Sequence, residues 1–214
     1  MKNLLPPPLV NRVHNFDALE LMRLIPAGSV DLIATDPPYG NNNGQDDLAG
    51  ARARDGVKGG RQSGAIAPIA NDDTVSWSTL MHRVLPEMNR VLKPDGAVCM
   101  FNMGGGGGGV IYFAELALWI DQYLKFFNTI VWDKSARGDG LGWRYRRNYE
   151  FIYVAHKKGG SLRWNKTRPA RPNIMKHHPT RNELHPTQKP VMLIEEFIQN
   201  HTYEGDLILD PFCG

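Results

Sequence analysis

The chain has 214 residues, of which 42% are hydrophobic and 22% are charged, and its formal net charge is +3. This composition fits one globular α/β domain with a sizeable core, and no apolar run approaches the ~20 residues that cross a bilayer. The two cysteines, Cys99 and Cys213, lie far apart without a CxxC spacing, so neither a disulfide framework nor a zinc site is indicated. The proline-rich first residues do not fit a signal peptide, and we expect a cytoplasmic protein that does not bind a membrane.

The N-terminal third predicts short elements around one buried strand. Residues 12–16 predict a short strand and residues 19–25 a short helix. Residues 31–35 are apolar and β-branched, and two prolines follow them, which predicts a buried strand that ends there. Residues 41–71 are rich in Gly, Asn, Ala and Arg without periodicity, and we interpret them as a mobile loop.

The rest of the chain alternates helices with strands. Apolar residues at helical spacing predict a helix over 80–92, with a late start or a kink at Pro86. The later predictions are, in chain order, a turn (93–96), a strand (97–102), a flexible glycine loop (104–109), a helix (113–124), two paired strands (126–133 and 149–156), a segment without a clear element (159–184), a helix (190–200) and a strand (206–210). This order predicts a single domain, 1–214, with a doubly wound, mostly parallel sheet.

The charges are strongly segregated along the chain. Residues 134–189 carry 14 Lys/Arg against three Asp/Glu, and aromatic residues are interleaved with them. Such a block is typical of a surface that contacts phosphates, although a solvated basic face is the alternative. The candidate nucleic-acid contacts are seven of its arginines and one lysine: Arg137, Arg144, Arg146, Arg147, Arg163, Lys166, Arg168 and Arg171.

The first motif follows the strand at 31–35 and reads Asp36, Pro37, Pro38, Tyr39. An exocyclic amine on a planar base is a poor nucleophile, because its lone pair is delocalised into the ring. A carboxylate and an exposed carbonyl before Pro38 can accept its hydrogens, and a tyrosine can stack on the base at ~1–3 kcal/mol. An ordinary turn after a strand is the alternative, and the second motif argues against it.

The second motif lies in residues 185–214. The helix predicted after 185–190 would present free backbone amides at its N-terminus. Together with Thr187, Gln188 and Lys189, these amides suit the carboxylate of a nucleoside cofactor. The strand at 206–210 leads into a turn that offers three further cofactor contacts, Asp210, Phe212 and Gly214. Core packing is the alternative for Phe212, a solvated cation is the alternative for Lys189, and we expect Cys213 to be a small buried filler.

Together these segments resemble the beta group of amino-directed DNA methyltransferases, in which the catalytic motif precedes the cofactor motif. The resemblance implies an S-adenosylmethionine-dependent methyltransferase fold in permuted order, with residues 36–39 catalytic and 185–214 binding the cofactor. It also places Asp17 near the cofactor's adenine and target recognition at about 135–184. Because the first motif begins with Asp36, we expect methylation of the 6-amino group of adenine in flipped-out bases of double-stranded DNA. N4-cytosine methylation and an inactive DNA-binding remnant are the alternatives.

One departure from the family concerns the end of the chain. In the family the glycine turn continues into a helix and another strand with an acidic residue, whereas this sequence ends at Gly214. We therefore expect a fold that is incomplete at the C-terminus, with weak cofactor binding by the chain alone. A missing C-terminal segment or a complementing chain would complete it, and a homodimer is left open as a further partner.

Overall fold

The computed structural model describes residues 10–40, 74–103, 112–135, 148–180 and 188–213. Within these ranges the helices are α1 (Ala18–Leu24), α2 (Thr74–Val91), α3 (Tyr112–Tyr123) and α4 (Val191–His201). The strands are β1 (Val30–Thr35), β2 (Leu92–Asn102), β3 (Lys125–Asp133), β4 (Tyr149–His156), β5 (Ile174–Lys176) and β6 (Ile208–Leu209). They form one sheet in the order β5-β3-β4-β2-β1-β6. The mobile loop and the glycine loop predicted at 41–71 and 104–109 lie outside the described residues.

The direction of the strands decides where a site can form. Strand β1 is parallel to β2 and to β6, and β3 is parallel to β5. Strand β4 is antiparallel to both of its neighbours, β2 and β3, so it alone of the six described strands runs the opposite way. The predicted α/β fold with a mostly parallel sheet is therefore confirmed. We call the side on which β1, β2, β3 and β6 end the carboxyl edge, and the opposite side the amino edge.

Helices cover both faces of the sheet. Helices α1, α2 and α3 pack on one face, where the side chains of α2 that point inward, such as Met81 and Met88, are fully buried. Helix α4 packs on the other face, where Phe197 meets Phe101 and Leu32. Successive residues of β2 face opposite sides of the sheet, and Val98 faces the core on the side of α1, α2 and α3. This is the double winding expected from the order of elements.

Two predicted elements in the first half of the chain differ in the structure. Residues 12–16 form no strand, and Asp17 instead caps α1 by accepting from the backbone amides of Leu19 and Glu20 at 3.0 and 3.2 Å. Helix α2 begins at Thr74 and continues through Pro86. A proline inside a helix costs ~3 kcal/mol, and each large apolar side chain that α2 buries returns about 1.5–3 kcal/mol. The burial of that face therefore outweighs the proline.

Three further differences concern a short strand, a helix start and a turn. The segment 159–184 contains the short strand β5, whose three residues are too few for a periodic pattern to reveal. Pro190 is the N-cap of α4 and not its first helical residue. The turn predicted at 93–96 is an excursion within β2, because Val30 pairs with Leu92 and Leu32 with Ala97. No helix in the described ranges is both long and apolar enough to cross a membrane.

Candidate active site

The turns that follow β1 and β6 lie side by side at the carboxyl edge. Strands β1 and β6 are hydrogen-bonded neighbours, with Ile33 opposite Leu209. Just beyond this pair, the Thr35 hydroxyl donates to Asp210 Oδ1 at 2.6 Å, and the same oxygen accepts from the Phe212 amide at 3.0 Å. The two motifs, 175 residues apart in the chain, therefore form one site.

Local sequence explains the shape of the first turn. Pro37 and Pro38 cannot continue the ladder of β1, and the chain turns away at Gly40, whose φ is +73°. A Cβ at Gly40 would lie 3.1 Å from the indole of Trp77, which is itself buried under α3. Within the turn, the Tyr39 hydroxyl donates to Asp36 Oδ1. The turn is thus held by β1 on one side and by α2 on the other.

Lys189 reaches this turn from the residue before the N-cap of α4. Its Nζ lies 2.7 Å from Asp36 Oδ2 and 3.5 Å from Glu150 Oε2. The ammonium also lies 5.5 Å from the centre of the Tyr39 ring and 5.4 Å from that of Phe101. The sequence predicts Lys189 as a ligand of a cofactor carboxylate, and in this structure it pairs with two carboxylates of the protein.

Two charged residues at this edge were missed by the sequence analysis. Glu150, near the start of β4, places Oε1 2.9 Å from Lys134 Nζ, just after β3. Both side chains are largely buried, 12% and 13% exposed. No sequence signal pairs them, since only the antiparallel register of β3 and β4, with Asp133 opposite Tyr149, brings them together.

Burial dominates the electrostatics of the two aspartates. It raises the pKa of Asp36, and Lys189 and the Tyr39 hydroxyl oppose the rise because they favour the charged carboxylate. It also raises the pKa of Asp210, which the hydrogen bonds from Thr35 and Phe212 oppose and the neighbouring Asp36 reinforces. Two acidic groups therefore share a poorly solvated edge, and Lys189 is the cation in contact with Asp36.

The other predicted cofactor contacts lie in different surroundings in the structure. Gln188 is half-buried beside Lys189, and its carbonyl accepts from the Thr180 hydroxyl at 2.9 Å. Phe212 is partly buried against the core on the α1–α3 side, as the core-packing alternative expects. The Asp17 carboxylate is used as the N-cap of α1. Cys213 is exposed, so the prediction of a buried filler is wrong. Thr187 and Gly214 lie outside the described residues.

The predicted basic surface is divided. Arg163 is 16% exposed and pairs at 2.8–3.0 Å with Asp31, Asp95 and Asp206. Asp31 begins β1 at the amino edge, and five residues of strand separate it from Asp36 by about 16 Å. In the structure Arg163 therefore belongs to a largely buried ion-pair cluster at the amino edge.

The remaining basic candidates fall into two groups. Lys166 and Arg168 lie beside Arg163 near the end of α4, where the Lys166 amide donates to the Tyr203 hydroxyl and the Trp164 indole donates to the Arg168 carbonyl. Arg171 pairs with Glu196 of α4 at 3.0 Å. The other four, Arg137, Arg144, Arg146 and Arg147, lie outside the described residues.

The arrangement at the carboxyl edge suits an acceptor role. Asp36 retains 27% exposure although most of its surroundings are protein, so a ligand can reach the carboxylate. A tyrosine ring stands beside it, and a second acidic turn is its neighbour in the sheet. In the described part of the chain no group of His, Cys, Asp and Glu side chains could hold a metal ion.

Comparison with known proteins gives a consistent result. A family model described as DNA methylase matches residues 30–214. The DNA adenine methyltransferase YhdJ of Escherichia coli strain K12 is 29% identical over 234 residues, which cover 92% of this chain and 69% of that protein. The solved PvuII DNA methyltransferase, cytosine-N4-specific, has a TM-score of 0.63 at 20% identity over 91% of this chain and 71% of its own. The M1.HpyAVI–SAM complex has a TM-score of 0.59 at 22% identity, with 95% and 83% covered.

Proposed function

The chain belongs to the DNA methylase family, whose members are S-adenosylmethionine-dependent DNA methyltransferases, and we propose that it methylates the 6-amino group of adenine in double-stranded DNA. The observation that supports this most directly is the juxtaposition of the Asp36 turn with the Asp210 turn, through the hydrogen bond from Thr35 to Asp210. An acceptor for an amino hydrogen and a second turn suited to a nucleoside cofactor are then neighbours on one edge.

The proposed role of Asp36 follows from the chemistry of the amine. The adenine amine becomes a nucleophile only when an acceptor on its hydrogens localises the lone pair on nitrogen. S-adenosylmethionine supplies the methyl group when it is bound: the nitrogen–carbon bond forms as the carbon–sulfur bond breaks, sulfur keeps the electron pair, and one amino proton leaves. Asp36 accepts that proton. The backbone carbonyl of Pro37 is the proposed second acceptor, because Pro38 prevents a helix from continuing through this turn.

A base inside the duplex cannot reach this edge, so it must leave the stack. The Tyr39 ring, beside Asp36, is the proposed stacking surface, worth ~1–3 kcal/mol per base. Holding the amine near the methyl carbon is then mainly a matter of position. The residues proposed to hold the cofactor are Asp17, Thr187, Gln188, Asp210, Phe212 and Gly214. Of these, Gln188, Asp210 and Phe212 belong to described segments that adjoin the Asp36 turn, whereas Lys189 pairs with Asp36 itself.

Adenine is proposed over cytosine because Asp36 opens the motif, as in most of the adenine-directed members that the chain resembles. The adenine methyltransferase YhdJ matches this chain over most of its length, which supports the same choice. The fold of the cytosine-specific PvuII enzyme is also similar, so cytosine remains the alternative product.

The test measures the modified base directly. Purified protein is incubated with unmethylated duplex DNA and S-adenosylmethionine, and the digested nucleosides are separated by mass spectrometry. We expect N6-methyladenine from the wild type and none from Asp36→Ala, while Asp121→Ala, an exposed aspartate on α3, behaves as the wild type. N4-methylcytosine in place of N6-methyladenine would establish the alternative, and neither product at saturating cofactor would favour the DNA-binding remnant.

Location and assembly are further proposals. We propose a cytoplasmic enzyme, which agrees with bacterial relatives that act on DNA. A homodimer is the proposed assembly. Light scattering during gel filtration, with and without duplex DNA, measures the mass of the particle and tests it.

A further inference from the structure

Four charged side chains of alternating sign form a continuous row at the carboxyl edge, which we call the charge row. It consists of Lys134, Glu150, Lys189 and Asp36, with successive N–O distances of 2.9, 3.5 and 2.7 Å. Their side chains are 13%, 12%, 11% and 27% exposed, so only the Asp36 end is open to a ligand. Charges that are this far from water are kept only where each has a partner.

Both oxygens of Asp36 are engaged in the structure. Tyr39 donates to Oδ1 and Lys189 to Oδ2. A carboxylate oxygen can accept two hydrogen bonds, so an amino group can use the second lone pair of either oxygen, and the oxygen with the more mobile donor is the easier one to reach. Lys189 is the less mobile donor, since its ammonium also faces Glu150 and lies between the rings of Tyr39 and Phe101. Tyr39 lies on the same partly buried turn as Asp36, and its hydroxyl contacts Asp36 Oδ1.

We propose that Lys189, held by Glu150, is a positioning residue that keeps Oδ2 of Asp36 and thereby presents Oδ1 to the amino group once Tyr39 turns onto the base. The inference rests on the proposed function, because it assigns a task within the same reaction. It also replaces the role that the sequence predicts for Lys189, since an ammonium bound to Asp36 and Glu150 is not available to the carboxylate of a cofactor.

Electrostatics add a second consequence. Burial raises the pKa of Asp36, Lys189 and Tyr39 lower it, and the nearby carboxylate of Glu150 raises it. Asp210 is the other titratable group beside Asp36, through the neighbouring turn. Without the ammonium, Asp36 loses its partner of opposite charge and takes up a proton at a higher pH. The acid limb of the pH–rate profile should then move to higher pH.

The experiment compares Lys189→Met with Lys189→Arg and with Lys125→Met, a matched control. Lys125 makes an exposed pair with Asp121 at the amino edge, so its loss removes the same charge far from the site. For Lys189→Met we expect kcat to fall by about 10²-fold and the acid limb to move upward, with an unchanged dissociation constant for S-adenosylmethionine. Lys189→Arg should return the acid limb of the pH–rate profile to its wild-type position, and Lys125→Met should match the wild type.

The opposite pattern would overturn the inference. If Lys189→Met weakens cofactor binding tenfold or more while the acid limb stays in place, Lys189 is an anchor for the cofactor and not for Asp36. A carboxyl carbon NMR titration, with the Asp36 signal identified from its loss in Asp36→Asn, needs no turnover. The Asp36 pKa must be higher in Lys189→Met than in the wild type, and equal values would refute the positioning role. A wild type that methylates nothing refutes the proposed function, and the titration still decides this inference.

Discussion

Replacing Arg163 with methionine separates a structural ion pair from a DNA contact. Its Nη1 lies 3.0 Å from Asp31 Oδ1 and from Asp95 Oδ2, and its Nη2 lies 2.8 Å from Asp206 Oδ2. Asp31 is fully buried and keeps one other cation, Lys93, 2.6 Å from its second oxygen. Methionine preserves much of the apolar stem and removes the charge, so Asp31 and Asp206 lose their shared partner.

The expected loss of stability can be worked from these contacts. Removing one partner of a buried pair costs about 3–5 kcal/mol, because the other charge stays buried without compensation. Lys93 still neutralises Asp31, and Asp95 is half exposed, which favours the lower end, about 3 kcal/mol. At 2–4 °C per kcal/mol for a chain of this size, the melting temperature should fall by roughly 6–12 °C.

Urea unfolding followed by circular dichroism measures the free energy of unfolding, and fluorescence anisotropy at fixed salt measures DNA affinity. Arg171→Met is the matched control, since Arg171 is 34% exposed and pairs with Glu196, so its loss should cost less than about 1 kcal/mol. The folded Arg163→Met protein should bind DNA as the wild type does. A loss below about 1 kcal/mol, together with weaker DNA binding, would show that Arg163 faces the duplex and that this reasoning fails.

Three further predictions follow from local geometry. Gly40→Ala should lower the free energy of unfolding by about 1–3 kcal/mol in a urea titration, because φ is +73° and Trp77 stands 3.1 Å from the new Cβ. Iodoacetamide should label exposed Cys213 but not Cys99, whose pKa burial raises, and labelling of both by peptide mass spectrometry would contradict the structure. Burial lowers the pKa of His201, so the unfolded chain binds its proton first. Stability should therefore fall as the pH drops below about 6.5, and less so in His201→Gln.

Much of the framework could be predicted from local sequence. Residues 31–35 are apolar and end at two prolines, which is sufficient to predict β1 and the turn that carries Asp36. Periodicity likewise predicts α3, α4 and the pairing of β3 with β4. Local sequence patterns do not predict the structure where tertiary burial outweighs them, as at Pro86 inside α2. They also miss an element of only three residues, as in β5.

The chemistry at each turn is therefore a property of the sequence, since an aspartate, two prolines and a tyrosine in succession after a buried strand already describe an acceptor with a stacking surface. The partners of the charges are decided by the fold. The sequence assigns Arg163 to a nucleic-acid surface and Lys189 to a cofactor carboxylate. In the fold, the segment after β4 brings Arg163 to the amino edge beside Asp31, and the segment before α4 brings Lys189 beside Asp36. Strand order and direction determine which charges share a poorly solvated space, and that long-range information is absent from any local run of residues.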